Sequence, residues 1–428
     1  MNKIITGLDI GTSQVKTVVL IKRHKTSLPE VLGVGISPCL GIRKGVVVDF
    51  DKLSKSIKES LLMAERTSGQ KIKKAFINLK GKDVFQGLSY GVTVISAKNE
   101  KVSQSDIRKV NKQALNSFSL PANKEIVHVF PKEYIIDKDT VVDNPLGLKG
   151  LKLEVNLTIL GADSYHIRQL TRAVNKAGIK IDSFIFSFLS CAKTCLFDKE
   201  TEAGVVLLDI GADTSDLAIF KDNNLLYSAT LPVGDSYITN DIAIGLKIDP
   251  DLAEKVKIKY DYILSQQKKL TGIINLSKDF NVSLSFSEKI LAEIIRARVL
   301  EIFSFTQQEL KKFSKEEIFS SGFVITGGGA KLKGILNIAK KQLNMNVRIG
   351  DLSNVKSFIS DPCLSAACGL GLWGFEIEKK REQGILSRDV RDVKDQVEEK
   401  IKKVTKGISK DVDFNSLKQK LFKKRKFN

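Results

Sequence analysis

The chain has 428 residues, 42% hydrophobic and 28% charged, with 8 Pro and 30 Gly; this gives room for about two to four domains and excludes wholesale disorder, collagen-like and low-complexity structure. No run approaches about 18 uncharged apolar residues (Ile181–Ala192 comes nearest and is broken by Asp182 and serines), and Asp9 interrupts the place of a signal peptide's apolar stretch, so neither a membrane-spanning helix nor secretion is expected. Five scattered cysteines (Cys39, Cys191, Cys195, Cys363, Cys368) and three distant histidines (His24, His128, His166) fit a reducing compartment and leave no disulfide framework, zinc ladder, His-based metal site or catalytic triad.

Lys+Arg number 69 against 49 Asp+Glu, a net charge of +20. That favours an anionic partner, either nucleic acid or an anionic membrane surface. From Ile385 to Asn428 there are 14 basic and 7 acidic residues, a net +7, and the other +13 is spread over the body. A lysine-rich coding bias would explain the body equally well. It does not explain the clustered tail.

In chain order, Ile4–Ile10 reads as a buried strand and Val15–Ile21 as its returning partner, joined by a tight turn at Gly11. Lys73 to about Asp163 reads as a compact α+β insertion. Its expected strands are Ala75–Leu79, Gly91–Ile95, Glu125–Tyr134 and Leu151–Leu160, with one helix opened by Ser103-Gln104-Ser105-Asp106. Ser164–Lys176 follows as a helix and Ile181–Phe186 as a strand. The opening device then returns: Leu208-Asp209-Ile210-Gly211 repeats Leu8-Asp9-Ile10-Gly11 residue for residue and runs into Ser215–Phe220. This is an internal repeat at domain scale. Two such halves could face one another across a cleft, each supplying one carboxylate and one loop of backbone donors. Beyond it, Asp249–Gln267 reads as a helix with Pro250 near its start, and Ser287–Phe313 as a long amphipathic helix capped by Ser287. Phe323–Thr326 is a strand running into Gly327-Gly328-Gly329, with a helix behind it over Lys331–Leu343. From about Arg381 the core pattern stops and a charged linker begins.

A nucleoside triphosphate needs donors for its phosphates and carboxylates for its Mg²⁺. The first loop offers Asp9, Gly11, Thr12, Ser13 and Lys16; the second offers Asp209, Gly211 and Thr214 in the same roles. Asp9 and Asp209, at strand ends, are the candidates to hold Mg²⁺ through water. Gly327, Gly328 and Gly329 let a backbone pass flat against a nucleoside or phosphate. No GxxxxGK[ST] occurs, so this is not a P-loop. One loop alone is more often a plain hairpin or turn. Three in order, at domain spacing, point to a nucleotide.

These motifs resemble the two phosphate motifs and the adenosine motif of the actin and heat-shock-chaperone ATPase superfamily. More narrowly, the chain resembles the FtsA family of bacterial division proteins. Leu231–Gly234 with Ile238–Leu246, Asp143–Leu148 with Leu151–Val155, and Val324–Gly334 carry that likeness, which covers nearly residues 1–375 and resumes at the tail. The resemblance implies an α/β, actin-like fold of duplicated ribonuclease-H-like domains with an α+β inserted subdomain. The expected subdomains are 1–79 with 164–200 (1A), 80–163 (1C, the insertion), 201–248 with 316–380 (2A) and 249–315 (2B). A linker over 381–413 and an amphipathic membrane-targeting helix over 414–428 complete the division.

The resemblance also implies ATP as ligand, with Glu254 and Lys257 contacting adenosine; the bland alternative for that pair is an exposed salt bridge. It implies that the C-terminal peptide of FtsZ binds near Arg298, which could instead simply pair with Glu301. Self-association into filaments and contacts with later division proteins belong to the same implication. Two departures argue for slow or absent hydrolysis. Asp213 stands where the family's third phosphate-2 glycine is usual; its tolerance of positive φ would preserve the turn, but its negative charge near phosphates would oppose binding. Ser187 stands where many relatives place a water-orienting acid, and serine is a poor general base without a partner. Gly234-Asp235-Ser236-Tyr237 also departs from the usual Gly-Gly-Asp-His.

The tail has its own physical case. Phe414, Leu417, Leu421 and Phe422 fall within an arc of about 140° at 100° per residue, on which Lys418 and Arg425 intrude and would have to snorkel, with Lys420, Lys423, Lys424 and Lys426 outside it. Each basic residue near an anionic lipid surface contributes about 1 kcal/mol. A disordered basic tail, or one touching nucleic acid, is the alternative; no nucleic-acid module or aromatic stacking platform is present, so nucleic acid is not an expected partner. The rival readings of the whole chain are a PilM-like pilus assembly protein, without such a tail, and a small-molecule kinase of the superfamily. The kinase would need a catalytic carboxylate facing a second substrate, and none is evident.

Overall fold

The computed structural model describes residues 2–24, 27–43, 45–80, 84–96, 100–265, 270–313 and 319–382. Internal contacts divide the chain into Met1–Phe375 and Glu376–Asn428, and the architecture below belongs to the first unit.

The chain opens with β1 (Lys3–Ile10) and β2 (Gln14–Lys22), an antiparallel pair that sets Asp9 opposite Lys16. Residues 23–72, to which the sequence reading gave no elements, supply β3 (Glu30–Pro38), a small ribbon of β4 (Ile42–Arg43) and β5 (Val46–Val47), and α1 (Phe50–Ser68). The helix starts because the Asp49 carboxylate accepts from the amides of Asp51 and Lys52, and stops at Gly69 in the left-handed region. It buries Leu53, Ile57, Leu61 and Ala64, an i, i+4 stripe. β6 (Lys74–Leu79), expected as the first strand of the insertion, instead lies parallel to β1 and belongs to the first sheet.

The insertion follows. β7 (Phe85–Val94), α2 (Gln104–Ser117), β8 (Lys124–Ile136), β9 (Thr140–Val142) and β10 (Lys152–Asp163) form a four-stranded sheet in the order β7-β10-β8-β9. α2 begins in a capping box of Ser103 and Asp106, and its Val110 and Ala114 share a core with Val155 and Leu157 of β10. The first and last strands here run longer than the sequence reading allowed. β7 reaches back to Phe85 because it pairs with β10 along ten positions, Phe85 to Val94 against Gly161 to Lys152. β10 extends to Asp163 because its last residues pair with β8, Ala162 with Glu125 and Asp163 with Lys124.

α3 (Ser164–Lys176) and β11 (Lys180–Phe186) return the chain to the first sheet, ordered β11-β6-β1-β2-β3. Short helices α4 (Ser187–Cys195) and α5 (Asp198–Ala203) lead to the second half. There β12 (Val205–Ile210), β13 (Ser215–Lys221) and β14 (Asn224–Leu231) precede α6 (Asp235–Leu246) and α7 (Pro250–Lys259). β15 (Ile273–Asn275), α8 (Ser277–Phe280), β16 (Ser285–Ser287) and α9 (Glu288–Leu310) come next. β17 (Phe323–Thr326), α10 (Ile335–Leu343), β18 (Val347–Ile349) and α11 (Ser365–Glu382) complete the described chain.

The second sheet runs β14-β13-β12-β17-β18. It repeats the first strand for strand: three antiparallel strands, then two parallel ones. This duplicated α/β sheet with an inserted α+β subdomain is the actin-like architecture. Two helices depart from their sequence limits by more than a turn. α7 ends at Lys259 and gives way to a 3₁₀ turn over Asp261–Ser265. The expected helix over Lys331–Leu343 is a 3₁₀ turn, Gly328–Lys331, and then α10, because Gly334 at φ +89° breaks the path between them.

Candidate functional site: a cleft between two hairpins

The two repeated motifs become two hairpin turns of the same build. In each, the glycine amide donates to the carbonyl three residues on, Gly11 to Gln14 and Gly211 to Thr214, both at 3.0 Å. A Cβ at Gly11 would stand 2.9 Å from the Gln14 oxygen, and one at Gly211 2.8 Å from the Thr214 oxygen. Close approach, rather than a left-handed backbone, is why glycine is needed; neither has positive φ. Asp213 has none either, so the turn does not depend on the tolerance expected of it. Its carboxylate instead accepts from the Ser236 hydroxyl at 3.0 Å.

One cleft gathers most of the candidate residues. Its walls include Asp9, Gly11, Thr12, Ser13 and Lys16 from the first half and Asp209, Gly211 and Thr214 from the second. Glu254 and Lys257 of α7 and Gly327 and Gly328 of the third loop line it as well. Gly329 lies behind that wall, buried, where a Cβ would meet the Ile210 side chain at 2.3 Å. Gly328 has nothing within 4 Å of an added Cβ, so open space lies over its backbone. Gly327 sits at φ +87°, where a Cβ would press within 2.3 Å of the Asp209 carboxylate.

The two buried carboxylates have different surroundings. Asp9, 1% exposed, accepts from Asn78 Nδ2 at 2.6 Å and from Lys16 Nζ at 3.2 Å. Asn78 is itself fixed by accepting the Ile10 amide at 2.7 Å. Burial alone would raise the Asp9 carboxyl, but Lys16 and Lys80, with Asn78, hold it below its ordinary value. Asp209, 3% exposed, faces a second carboxylate on the neighbouring strand, Asp216. Burial, reinforced by Asp209, pushes Asp216 up to about 6 against the pull of Lys80. Asp216 accepts from the Thr230 hydroxyl at 2.8 Å. Lys80 reaches Asp209 from the end of β6, in the other half, with Nζ 3.4 Å from Oδ2. Burial opposes its charge, but Asp209, Asp9 and Asp216 raise it above an ordinary lysine.

On α7, Lys257 is 5% exposed and is held between Asp235 and Glu254, the latter at 2.9 Å. Glu254 also accepts from the Thr239 hydroxyl. The pair lines the cleft and also makes the i, i+3 salt bridge of the bland alternative, with Lys257 buried and the Glu254 side chain 44% exposed. Ser187 opens α4, fully buried, and its hydroxyl accepts from Asn78 Nδ2 at 3.2 Å.

Arg298 lies outside the cleft. Its guanidinium grips Asp241 of α6 at 2.7 and 2.9 Å, bonds Glu301, and stands 5.5 Å from the Tyr237 ring centre. Phe414, Leu417, Leu421 and Phe422 are outside the described residues, as is the linker from 383 on. Among the described residues no helix is long and apolar enough to cross a membrane.

Sequence reasoning missed Asn78, Lys80, Asp216 and Asp235. Asp216 carries a legible signal: aligning the repeats puts it opposite Lys16. Lys80 has only its position at the end of a strand that pairs with β1.

Comparison with known proteins agrees with this fold. The family model "Cell division protein FtsA" matches residues 206–369, and "SHS2 domain inserted in FTSA" matches residues 88–160, within the insertion. The FtsA of Pseudomonas aeruginosa is 32% identical over 381 residues, 87% of this chain and 90% of the relative. That of Borreliella burgdorferi is 32% identical over 406 residues, 93% of this chain and 97% of its own. That of Bacillus subtilis is 31% identical, covering 90% and 86%. Among solved structures, a PilM-PilN type IV pilus biogenesis complex superposes with TM-score 0.61 at 19% identity, covering 86% of this chain and 98% of that one. MreB5 of Spiroplasma citri bound to ADP gives 0.52 at 13% identity, covering 89% and 98%. Those two likenesses establish the actin-like fold alone. With its fold, its inserted SHS2 subdomain and relatives above 30% identity along most of its length, the chain belongs to the FtsA family of bacterial cell division proteins.

Proposed function

We propose that this protein binds ATP with Mg²⁺ between the two hairpins and serves as an adaptor in division. It tethers FtsZ filaments to the cytoplasmic face of the membrane at the division site and helps assemble the ring. The observation that carries the nucleotide half is the convergence of two glycine hairpins, two buried carboxylates and an open glycine shelf on one cleft. Backbone amides at such turns suit phosphate oxygens, and the space over Gly328 suits a flat nucleoside. MreB5 of Spiroplasma citri, of the same fold, has been solved bound to ADP.

The carboxylates fit Mg²⁺, a hard ion that prefers oxygen ligands and keeps several waters. Among the described residues no group of three or more His, Cys, Asp or Glu could hold a metal. Asp9 and Asp209 would therefore act with water and the phosphates rather than as an all-protein cage. When bound, the ion neutralises phosphate charge. The chain's own residues orient the phosphates through Thr12, Ser13, Lys16 and Thr214, and the nucleoside through Glu254, Lys257, Gly327 and Gly328. Hydrolysis is slow or absent: Ser187, at the start of α4, is engaged by Asn78, and no acid stands in its place. Equilibrium titration with ATP and Mg²⁺ tests this half; no binding at millimolar ATP would remove it.

The partner half rests on the family. The C-terminal peptide of FtsZ docks on α6 and α9, where exposed Ile244 and Ile290 share helix faces with Asp241 and Arg298. An acidic peptide there competes with Asp241 and Glu301 for the Arg298 guanidinium. The basic amphipathic segment 414–428 adsorbs to anionic lipid; filament formation and contacts with later division proteins complete the role. Flotation with anionic liposomes, comparing the full chain with one ending at Asp413, tests the tether. Only the full chain should float. Equal flotation of both would move lipid binding to the body and discard the tail.

A further inference from the structure

Lys80 has no task in the nucleotide reading, yet it spans the cleft. The reason lies in a mismatch between the repeats. In the first half the strand partner of Asp9 is Lys16, so that carboxylate is neutralised within its own hairpin. In the second half the corresponding partner of Asp209 is Asp216. Two carboxylates lie side by side, 3% and 4% exposed, with the Thr230 hydroxyl as a neutral neighbour. Buried like charges at this spacing require a compensating cation. Among the described residues the second hairpin offers none of its own: the ion pair on Asp209 comes from Lys80, in the other half. The Lys80 ammonium also stands 3.8 Å from where a Cβ of Gly211 would be, beside the turn proposed to hold phosphate.

We propose that Lys80 is a tethered counter-ion for the Asp209–Asp216 pair and that a metal-bound nucleotide takes its place on Asp209. The first part stands on geometry alone; the exchange rests on the nucleotide reading above. Lys80 is then a positioning residue that sets how strongly binding depends on the divalent ion. The contact is suited to exchange. At 3.4 Å it is longer than the 2.7–2.9 Å of a tight charge-assisted bond, and it engages one oxygen. A divalent ion beside Asp209 outcompetes a single ammonium charge and repels it. Without the ion, the ammonium stays and offers a donor to a bare triphosphate.

Two measurements on the full chain test this. The first is calorimetric titration with ATP, in Mg²⁺ and in EDTA, for the unaltered chain, Lys80→Met and Lys80→Arg. Losing a charge-assisted donor should weaken metal-free binding by about tenfold or more in Lys80→Met while metal-bound ATP binds as well or better. Lys80→Arg, which keeps the charge, should keep the original ratio. An unchanged ratio in Lys80→Met overturns the exchange. The second is thermal melting without ligand. Lys80→Met should melt lower, and adding Asp216→Asn should restore much of the loss. A loss that Asp216→Asn leaves untouched, or no loss at all, overturns the counter-ion. If the unaltered chain binds ATP in neither buffer, the nucleotide reading falls and takes the exchange with it; the melting cycle still decides the counter-ion.

Discussion

The two hairpins share sequence, turn geometry and strand order, and differ in how each balances its buried charge. The first is self-contained: Asp9, Lys16 and Asn78 satisfy one another across β1, β2 and β6. The second carries Asp216 where the first has Lys16, and its balance comes from Lys80 in the other half. A duplicated fold thus need not duplicate its electrostatics. One half supplies a finished site, and the other borrows a cation across the cleft. The second hairpin is the one whose charge a bound ligand can rearrange.

The comparison can be broken most severely at the third loop, which leans on the second hairpin. Gly327→Ala forces a left-handed alanine against the Asp209 carboxylate and should cost about 3 kcal/mol or more, or prevent folding. Gly328→Leu has open space and should change stability by less than about 0.5 kcal/mol. It should nevertheless weaken ATP binding at least about tenfold, by filling the nucleoside shelf. Denaturant unfolding and ATP titration of the two variants check the pair.

Next come the carboxylates themselves. Asp9→Asn strands a mostly buried Lys16 and should cost about 3 kcal/mol. Asp209→Asn leaves Asp216 to hold Lys80 and relieves a like-charge contact, so it should cost about 1 kcal/mol or less. Equal losses in chemical denaturation would contradict the asymmetry between the hairpins.

The smallest effect is a pH dependence. Asp216 titrates near 6 when folded against an ordinary 3.8, so the folded chain holds its proton more tightly than the unfolded one. Its contribution favours the fold below about pH 3.8 and is lost as pH rises through about 6. Asp216→Asn should therefore match the unaltered chain in acid and become the more stable of the two as pH rises above about 6. Melting curves from pH 4 to 8 read the crossover; a constant difference across that range would remove the assignment.

Much of the cleft was legible because the repeat is written in backbone-forming residues. Asp-Ile-Gly at strand ends dictates a turn whatever surrounds it, and the triple glycine marks a strand that cannot continue. Lys80 and Asn78 were not legible. Each acts through a contact between residues 68 to 129 positions apart, which no local pattern encodes. Asp216 was written in the repeat but hidden, because a strand residue reads as a solvent-facing acid until its partner is known. α1 escaped notice despite its stripe because four serines interrupt its apolar residues; Ser54, Ser56 and Ser60 are buried. Ser60 bonds the Gly35 carbonyl at 2.9 Å and Thr17 at 2.8 Å. Arg298 carried two open readings, and its pairing with Asp241 adds a partner 57 positions away.

Amide hydrogen exchange with and without ATP and Mg²⁺ tests the central claim most directly, that one nucleotide is gripped by both halves. Exchange should slow together in the turns at Gly11–Gln14 and Gly211–Thr214 and over Gly327–Gly329. Protection confined to one hairpin, or none in either at saturating ATP, would contradict it.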